Sequence, residues 1–450
     1  MAETDVARIE EDALRLLELL CREPSVSAEG RALESTATLV EELLAGSGFE
    51  TRQLRADGGP PAVYGEQRGQ SDYTLLLYNH YDVQPPDPLE LWDSPPFEPT
   101  IRDGKLFARG AADNKAELAV RLAVIRSLLE EAEELPLTVR WIVEGEEEVM
   151  SPHFDEIVEK NVDALRADVC LWEGGSARLN DGRPAIGLGF KGVLSVRFDV
   201  KLLKTDAHSG TAATVPSAAW RLVEALASLR DRDGTVRIPG FYDAVLPPTE
   251  AERRAIEDQS EASEEDLRNV LGIEEFLGGL SGAALREQAA FGPTANIAGI
   301  RTGYGGPGVK TVLPAEAGAL LDFRLVPEQR GDEIADLLRA HLAREGFDDV
   351  EVTVLGTAEA AGTPVEHPFV KRVAEIAERT AGERPSITPR VGGTLPIVAS
   401  LHRHLGVPGL APPDNPWYVG SNAHAPNENI RLEDVGHAVR FTTALLENLP

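Results

Sequence analysis

Two imidazoles and a set of carboxylates stand where apolar runs end. The segment LYNHYDVQPP closes an apolar run, Tyr73 to Leu77, with His80 and Asp82. Alternation along an extended chain puts these two on one face, and Pro85 and Pro86 stop any further ladder. RGAADNKAELAV places Asp113 just ahead of a long helical pattern, where an N-cap is the structural explanation. IVEGEEEVMS carries Glu144, Glu146, Glu147 and Glu148 directly after a buried strand, and CLWEGG repeats the arrangement with Glu173. VGSNAHAPNENI holds His424 in a turn-rich stretch. Singly, each is explained as a cap, a solvated turn or a satisfied strand end. Three strand ends of one sheet carrying acids or histidine point further, because sites in α/β sheets form at strand ends.

The chemistry such a set can do is metal chemistry. Imidazoles and carboxylates without a nearby cysteine suit zinc and, less specifically, manganese or cobalt. Charge favours two ions over one. Asp113, Glu148 and Glu173 supply three negative charges, and a bridging hydroxide supplies a fourth against two divalent cations. One ion under the same three carboxylates would be a poor Lewis acid. Two-metal hydrolytic sites hold their ions ~3.5–4 Å apart, close enough for one carboxylate to bridge them. One acid then remains for proton transfer, and Glu147 is the candidate.

The elements that must position these residues alternate. YTLLLYNH reads as a strand, AELAVRLAVIRSLLEEAEEL as a periodic helix, and LTVRWIVEG and ADVCLWEGG as two more strands, the pattern of an α/β sheet with helices on its faces. After GLGFKG the character changes. GVLSVRFDVKLL, SAAWRLVEALASLR, TANIAGIRTG, AGALLDFRLVP, DEIADLLRAHLAREG and VEVTVLG follow the β-α-β-β-α-β order of a ferredoxin-like α+β unit. An acidic insertion at roughly 231–288 reads as mainly solvated helix, with part of a substrate enclosure as the alternative. FVKRVAEIAERTAG and LPIVASLHRHLG return to α/β character. The expected architecture is therefore an α/β catalytic domain, residues 1–191 and 358–450, with a mainly parallel mixed sheet, interrupted by an inserted lid domain at 192–357.

At 450 residues, 42% hydrophobic and 26% charged, the chain has a globular composition with room for two domains. It contains no apolar run long enough to span a membrane. Its first 20 residues form an amphipathic helical pattern rather than a targeting segment. Two cysteines, Cys21 and Cys170, are too few for a disulfide framework and fit a reducing cytoplasm. A net charge of −31 argues against nucleic acid or anionic membrane as partners, and a salt-rich or hot habitat would also favour it.

In this order, YNHYDVQP, GAADNKA, EGEEE, AHSG, DFRLVP and NAHAPNE resemble the dinuclear metallopeptidases of the M20 type. That group includes cytosolic non-specific dipeptidase, carnosinase, aminoacylases and glutamate-releasing carboxypeptidases. HYDVQPP, LWDSPPFEPTIRDGKLFARGAADNK and GYGGPGVKTVLPAEA bring the resemblance nearest to the dipeptidase branch. The resemblance implies that His80 and Glu173 bind one metal, that Glu148 and His424 bind the other, and that Asp113 bridges them. It implies that Asp82 hydrogen-bonds the second ring nitrogen of His80 and that Glu147 is the general base. Three consecutive glutamates allow a slip by one, and Ser151 is the anchor that leaves Glu147 catalytic and Glu148 ligating. His208 is implied to stabilise the oxyanion in the partner subunit's site, in a homodimer paired through the lid. Arg324 would grip the substrate carboxylate, with Asn296 and Thr311 in the same region. Arg390, Gly393 and Thr394 would hold the substrate backbone.

The departures bear on specificity. Glu173 stands where dipeptidases of this type usually carry Asp, Met150 where glycine is usual, Ala112 where serine is frequent, and Thr394 where serine is common. The expected activity is metal-dependent hydrolysis of a dipeptide or a related substrate with a free carboxylate. The alternative is an aminoacylase acting on N-acyl amino acids, which Glu173 favours. A non-catalytic peptide-binding relative is a poorer fit, because all five ligand positions and the base hold usable side chains.

Overall fold

The computed structural model describes residues 3–260 and 262–449. Its larger sheet has six strands, in the order Glu50–Leu54, Ala62–Gln67, Leu135–Glu144, Gly69–His80, Val169–Leu171 and Gly409–Leu410. The first two pairings are antiparallel and the remaining three parallel, so the sheet is mixed with a parallel centre. Gly69–His80 lies at that centre, and its last six residues are buried. Both faces are covered, which is why its end reads as a continuous apolar run. On one face pack the helices Glu3–Cys21, Ala116–Glu131, Pro368–Ala381 and Leu432–Asn448, around a core that includes Leu77, Val139 and Trp141. On the other, Phe154–Lys160 and Pro396–Leu405 close over Tyr78, Ile142 and Trp172.

Parallel pairing decides where the polar residues fall. His80 pairs with Glu144 and Leu77 with Leu171, so three neighbouring strands end at one edge. His80, the EGEEE turn and Glu173 leave the sheet together there. Gly145 is required in that turn, since a Cβ at this position would lie 2.2 Å from the Tyr81 hydroxyl.

A second sheet has four antiparallel strands, in the order Thr294–Thr302, Glu316–Leu325, Gly192–Lys201 and Glu351–Ala358. Helices Ala218–Ser228 and Gly331–Arg344 cover one face and share a core with Leu194, Val196, Phe198, Leu321 and Phe323. Along Glu316–Leu325, Ala317, Ala319, Leu321, Phe323 and Leu325 point into that core. Alternation therefore puts Leu320, Asp322 and Arg324 on the helix-free face. The β-α-β-β-α-β order and the strand arrangement are those of a ferredoxin-like unit.

The insertion forms three helices, Glu250–Glu257, Ala262–Leu271 and Gly282–Phe291, and most of its described residues are exposed. One flank nevertheless walls a cavity of about 1150 Å³ that also reaches Lys191 and Arg324. Among the described residues, no helix is long and apolar enough to cross a membrane.

Candidate active site

Asp113 occupies the centre of the site. The backbone around Ala111–Lys115 is wound more widely than an α-helix, and Asp113 itself has extended dihedrals, φ −129° and ψ 93°. Its side chain caps no helix. Instead Oδ1 lies 3.1 Å from His80 Nε2, and Oδ2 lies 3.0 Å from His424 Nε2. Each imidazole then meets one more acid: Glu173 Oε2 is 3.0 Å from His80 Nε2, and Glu148 Oε2 is 3.1 Å from His424 Nε2. Two ligand sets share Asp113. His80, Asp113 and Glu173 form one, Asp113, Glu148 and His424 the other, with donor atoms within 4.8 Å of one another in each.

The three glutamates of the turn part company. Glu146 faces His153 at 2.7 Å, while Glu148 faces His424 and also accepts from Gln84 Nε2 at 3.0 Å. Glu147 falls in a third group with His80 and Glu148. Glu144, the last residue of the strand before the turn, accepts from the Tyr78 hydroxyl at 2.7 Å and from Ser151 at 2.9 Å. Met150 adopts φ +74°, the left-handed region where glycine is the easier residue.

Asp82 does more than expected, and partly otherwise. The nearest acceptor to His80 Nδ1 is the Asp82 backbone carbonyl at 3.0 Å, with carboxylate Oδ1 at 3.3 Å. The carboxylate also accepts the backbone N–H groups of Glu147 and Glu148, at 3.2 and 3.1 Å. One residue thus sets the His80 ring and holds the glutamate turn beneath it.

The electrostatics call for cations. Burial, and then its acidic neighbours, hold Glu147 well above the usual carboxylate range. Burial, with Asp113 beside it, pushes Glu148 up to about 7. Burial also raises Glu173. Asp113 moves the other way: burial opposes its ionisation, but hydrogen bonds from His424 and His80 prevail and hold it below the usual range. Glu173 Oε2 is buried, and although it lies close to His80 it has no hydrogen-bond donor. Crowded acids, an orphaned oxygen and two imidazoles converging on one shared carboxylate fit a pair of divalent cations.

Several supporting residues are not evident from the motifs. Glu428 is buried and accepts from Arg109 Nη1 at 2.7 Å and from the backbone N–H groups of Gly110, Ala112 and Asp113 at 2.9, 2.8 and 3.0 Å. It fixes the loop that presents Asp113. Buried Arg121 donates to the Tyr78 carbonyl, Asn79, Glu117 and Asp414, each at 2.8–3.0 Å. Asn79 in turn donates to Asn114 at 2.6 Å, fastening the strand end to the Asp113 loop. The only sequence signal for Glu428 is its place in NENI, four residues after His424. Glu428→Gln is expected to keep the fold and weaken metal binding about 10- to 100-fold, the usual cost of removing a group that orients a ligand. Competition against a chelator measures this, and unchanged affinity would remove Glu428 from the assignment.

The substrate-side residues fall in two places. Arg324 Nη1 donates to Thr394 Oγ1 at 2.8 Å, and the Lys191 backbone N–H donates to the Gly393 carbonyl at 3.0 Å. Arg324, Gly393, Thr394, Arg390 and the unforeseen Lys191 therefore form one cluster. His208 and Thr311 lie elsewhere, at a short antiparallel pairing of Ala207–His208 with Val312–Leu313. The exposed His208 ring accepts from Gly210 N–H at 3.0 Å and touches none of the acids above. Asn296 is exposed and donates to Asp322 at 2.9 Å, the acid that also lies 3.6 Å from Arg324, so Asn296 is beside Arg324 while Thr311 is placed with His208. Thr311 precedes the short strand Val312–Leu313, whose place apart from Arg324 the motif order does not convey.

The profile of Peptidase family M20/M25/M40 matches residues 76–448. The chain belongs to this family. By that membership, and by the ligand sets above, it is a metal-dependent peptidase. A metallo-carboxypeptidase of the M20 family from Sulfolobus solfataricus superposes with a TM-score of 0.90 at 36% identity, covering 97% of this chain and 99% of that one. Human Beta-Ala-His dipeptidase is 32% identical over 294 residues, which are 63% of this chain and 56% of the human protein. The Cys-Gly metallodipeptidase dug1 of Schizosaccharomyces pombe is 26% identical, over 95% of this chain and 93% of that protein.

Proposed function

We propose that the chain hydrolyses the amide bond of dipeptides, or of related substrates with a free carboxylate, using two divalent cations. Zinc is the first choice, with manganese or cobalt as alternatives. The observation that carries this reading is the division of Asp113, one carboxylate oxygen towards His80 and the other towards His424. His80 and Glu173 hold one cation with Asp113, and Glu148 and His424 hold the other. When bound, the cations polarise the scissile carbonyl and acidify the attacking water. Asp82 keeps the His80 ring in place. Glu147, held above the usual carboxylate range by burial and its acidic neighbours, takes the water's proton and returns it to the leaving nitrogen. Arg324 receives the substrate carboxylate, for which its planar fork is suited, while Arg390, Gly393 and Thr394 hold the backbone beside it.

His208 acts in the site of a second subunit, with Thr311 beside it, while Asn296 lies with Arg324 near Asp322. Its exposure and distance from the acids of its own chain support this, as does an apolar surface on the lid. The edge strand Thr294–Thr302 exposes Ile297 and Ile300, and the helix Ala218–Ser228 exposes Trp220 and Val223. An open, apolar strand edge is a natural pairing surface.

The test of the substrate class is a panel of dipeptides set against N-acetyl and N-succinyl amino acids, with protein reconstituted in zinc, manganese or cobalt. Dipeptides should be cleaved with the higher kcat/KM. Turnover of the N-acyl compounds alone would make the chain a deacylase, the reading that Glu173 favours, and none at all with metal bound would refute hydrolysis. The test of the subunit arrangement is complementation. His208→Ala and Glu147→Gln chains should each be inactive, yet regain partial activity when mixed. Absence of rescue after verified subunit exchange would place His208 outside the mechanism.

A further inference from the structure

Lys191 is buried to 3% exposure on the segment that joins the two sheets, and it has no carboxylate partner among the described residues. Its Nζ donates to the Gly292 carbonyl at 2.6 Å, at the end of the insertion helix Gly282–Phe291. Arg390 lies against the neighbouring residue, its guanidinium 5.0 Å from the Phe291 ring centroid, and its buried Nε has no hydrogen-bond partner. Arg324 completes the group through Thr394 and has Asp322 at 3.6 Å, and Glu252 acts on Arg390, which leaves Lys191 as the one of the three with no acid near it among the described residues. Burial first, and then Arg390 and Arg324, push the Lys191 ammonium down to about 8, and no acid offsets them. The group is still charged at neutral pH. Like charges crowded in a poorly solvated place repel strongly, and here Lys191 and Arg324 line the wall of the 1150 Å³ cavity. One substrate carboxylate, taken bidentate by Arg324, leaves the Lys191 ammonium unanswered.

We propose that Lys191 forms a second carboxylate subsite beside Arg324, so that the preferred substrate ends in an acidic residue. The α-carboxylate sits on Arg324 and the side-chain carboxylate on Lys191. The subsite rests on the peptidase reading above, but its binding chemistry can be tested without turnover. The bland alternative is a lysine that merely ties the segment to Gly292. Such a tether would serve every substrate alike, whereas a subsite discriminates.

The experiment compares L-glutamate with L-glutamine by titration calorimetry, and glycyl-glutamate with glycyl-glutamine by kcat/KM, on the metal-loaded protein. Glutamate and its dipeptide should each be favoured by about tenfold or more, the worth of one charge-assisted hydrogen bond. Lys191→Met should abolish that preference, the loss falling about tenfold more heavily on the glutamate compounds than on the glutamine ones, and Lys191→Arg should retain it. Equal handling of the two by the unmodified protein overturns the proposal, whether or not the variants fold. An equal loss for both compounds in Lys191→Met overturns it too, in favour of the tether. Selective binding of glutamate with neither dipeptide cleaved would sustain the subsite and refute the peptidase reading. Cleavage of both dipeptides at equal rates would do the reverse.

Discussion

The Glu147→Gln protein is expected to bind metal normally and to turn over about 10³- to 10⁴-fold more slowly, the range set by losing a positioned general base. Gln has almost the volume and the reach of Glu, so the turn held by the Asp82 carboxylate should survive. What disappears is an oxygen able to carry a proton between water and leaving nitrogen. Metal content should be unaffected because both sets that contain Asp113 are complete without Glu147. Metal analysis beside steady-state kinetics checks both halves of the expectation. Retained turnover would eliminate Glu147 as base. Lost metal would show that it is a ligand, and would reopen the assignment of the three glutamates.

That assignment shows how far local sequence reaches. Strand ends, alternation and motif order sufficed to single out His80, Asp82, Asp113, Glu148, Glu173 and His424, because a parallel sheet delivers its strand ends to one edge. The ferredoxin-like order was equally legible, since four alternating strands and two helices carry strong local periodicity. The role of each acid in EGEEE was less so. Glu146 and Glu148 are told apart by the imidazole each meets, and His424 lies more than two hundred residues away along the chain.

Partners distant in sequence leave no local trace. Glu428 serves the Asp113 backbone across 315 positions, and Lys191 meets Gly292 across 101. GLGFKG reads as a boundary between units, which hides that its lysine turns inward. The insertion reads as acidic and solvated, as most of it is, yet the end of one helix brings Phe291 under Arg390 and Gly292 to Lys191. Pattern identifies an element's buried face. It does not identify the ligand that a few turned residues enclose.

The Asp113→Asn protein is expected to lose both metal ions, where His80→Ala and His424→Ala lose one each. The difference follows from geometry. His80 and Glu173 belong to one ligand set and His424 and Glu148 to the other, whereas Asp113 supplies an oxygen to each. An amide removes the negative charge and turns an NH₂ group towards one of the two sets. Either orientation leaves a donor where a cation needs an acceptor. Each set also forfeits one of its few carboxylates, so affinity should fall by more than the roughly 100-fold that a merely orienting group can cost. Activity should be lost with the metal. The measurement is metal content after dialysis against a fixed free-ion concentration, with the thermal midpoint recorded alongside to confirm a folded chain. An Asp113→Asn protein that keeps one tightly held ion would mean that the two sets do not share this carboxylate, and the two-cation reading would fall with it.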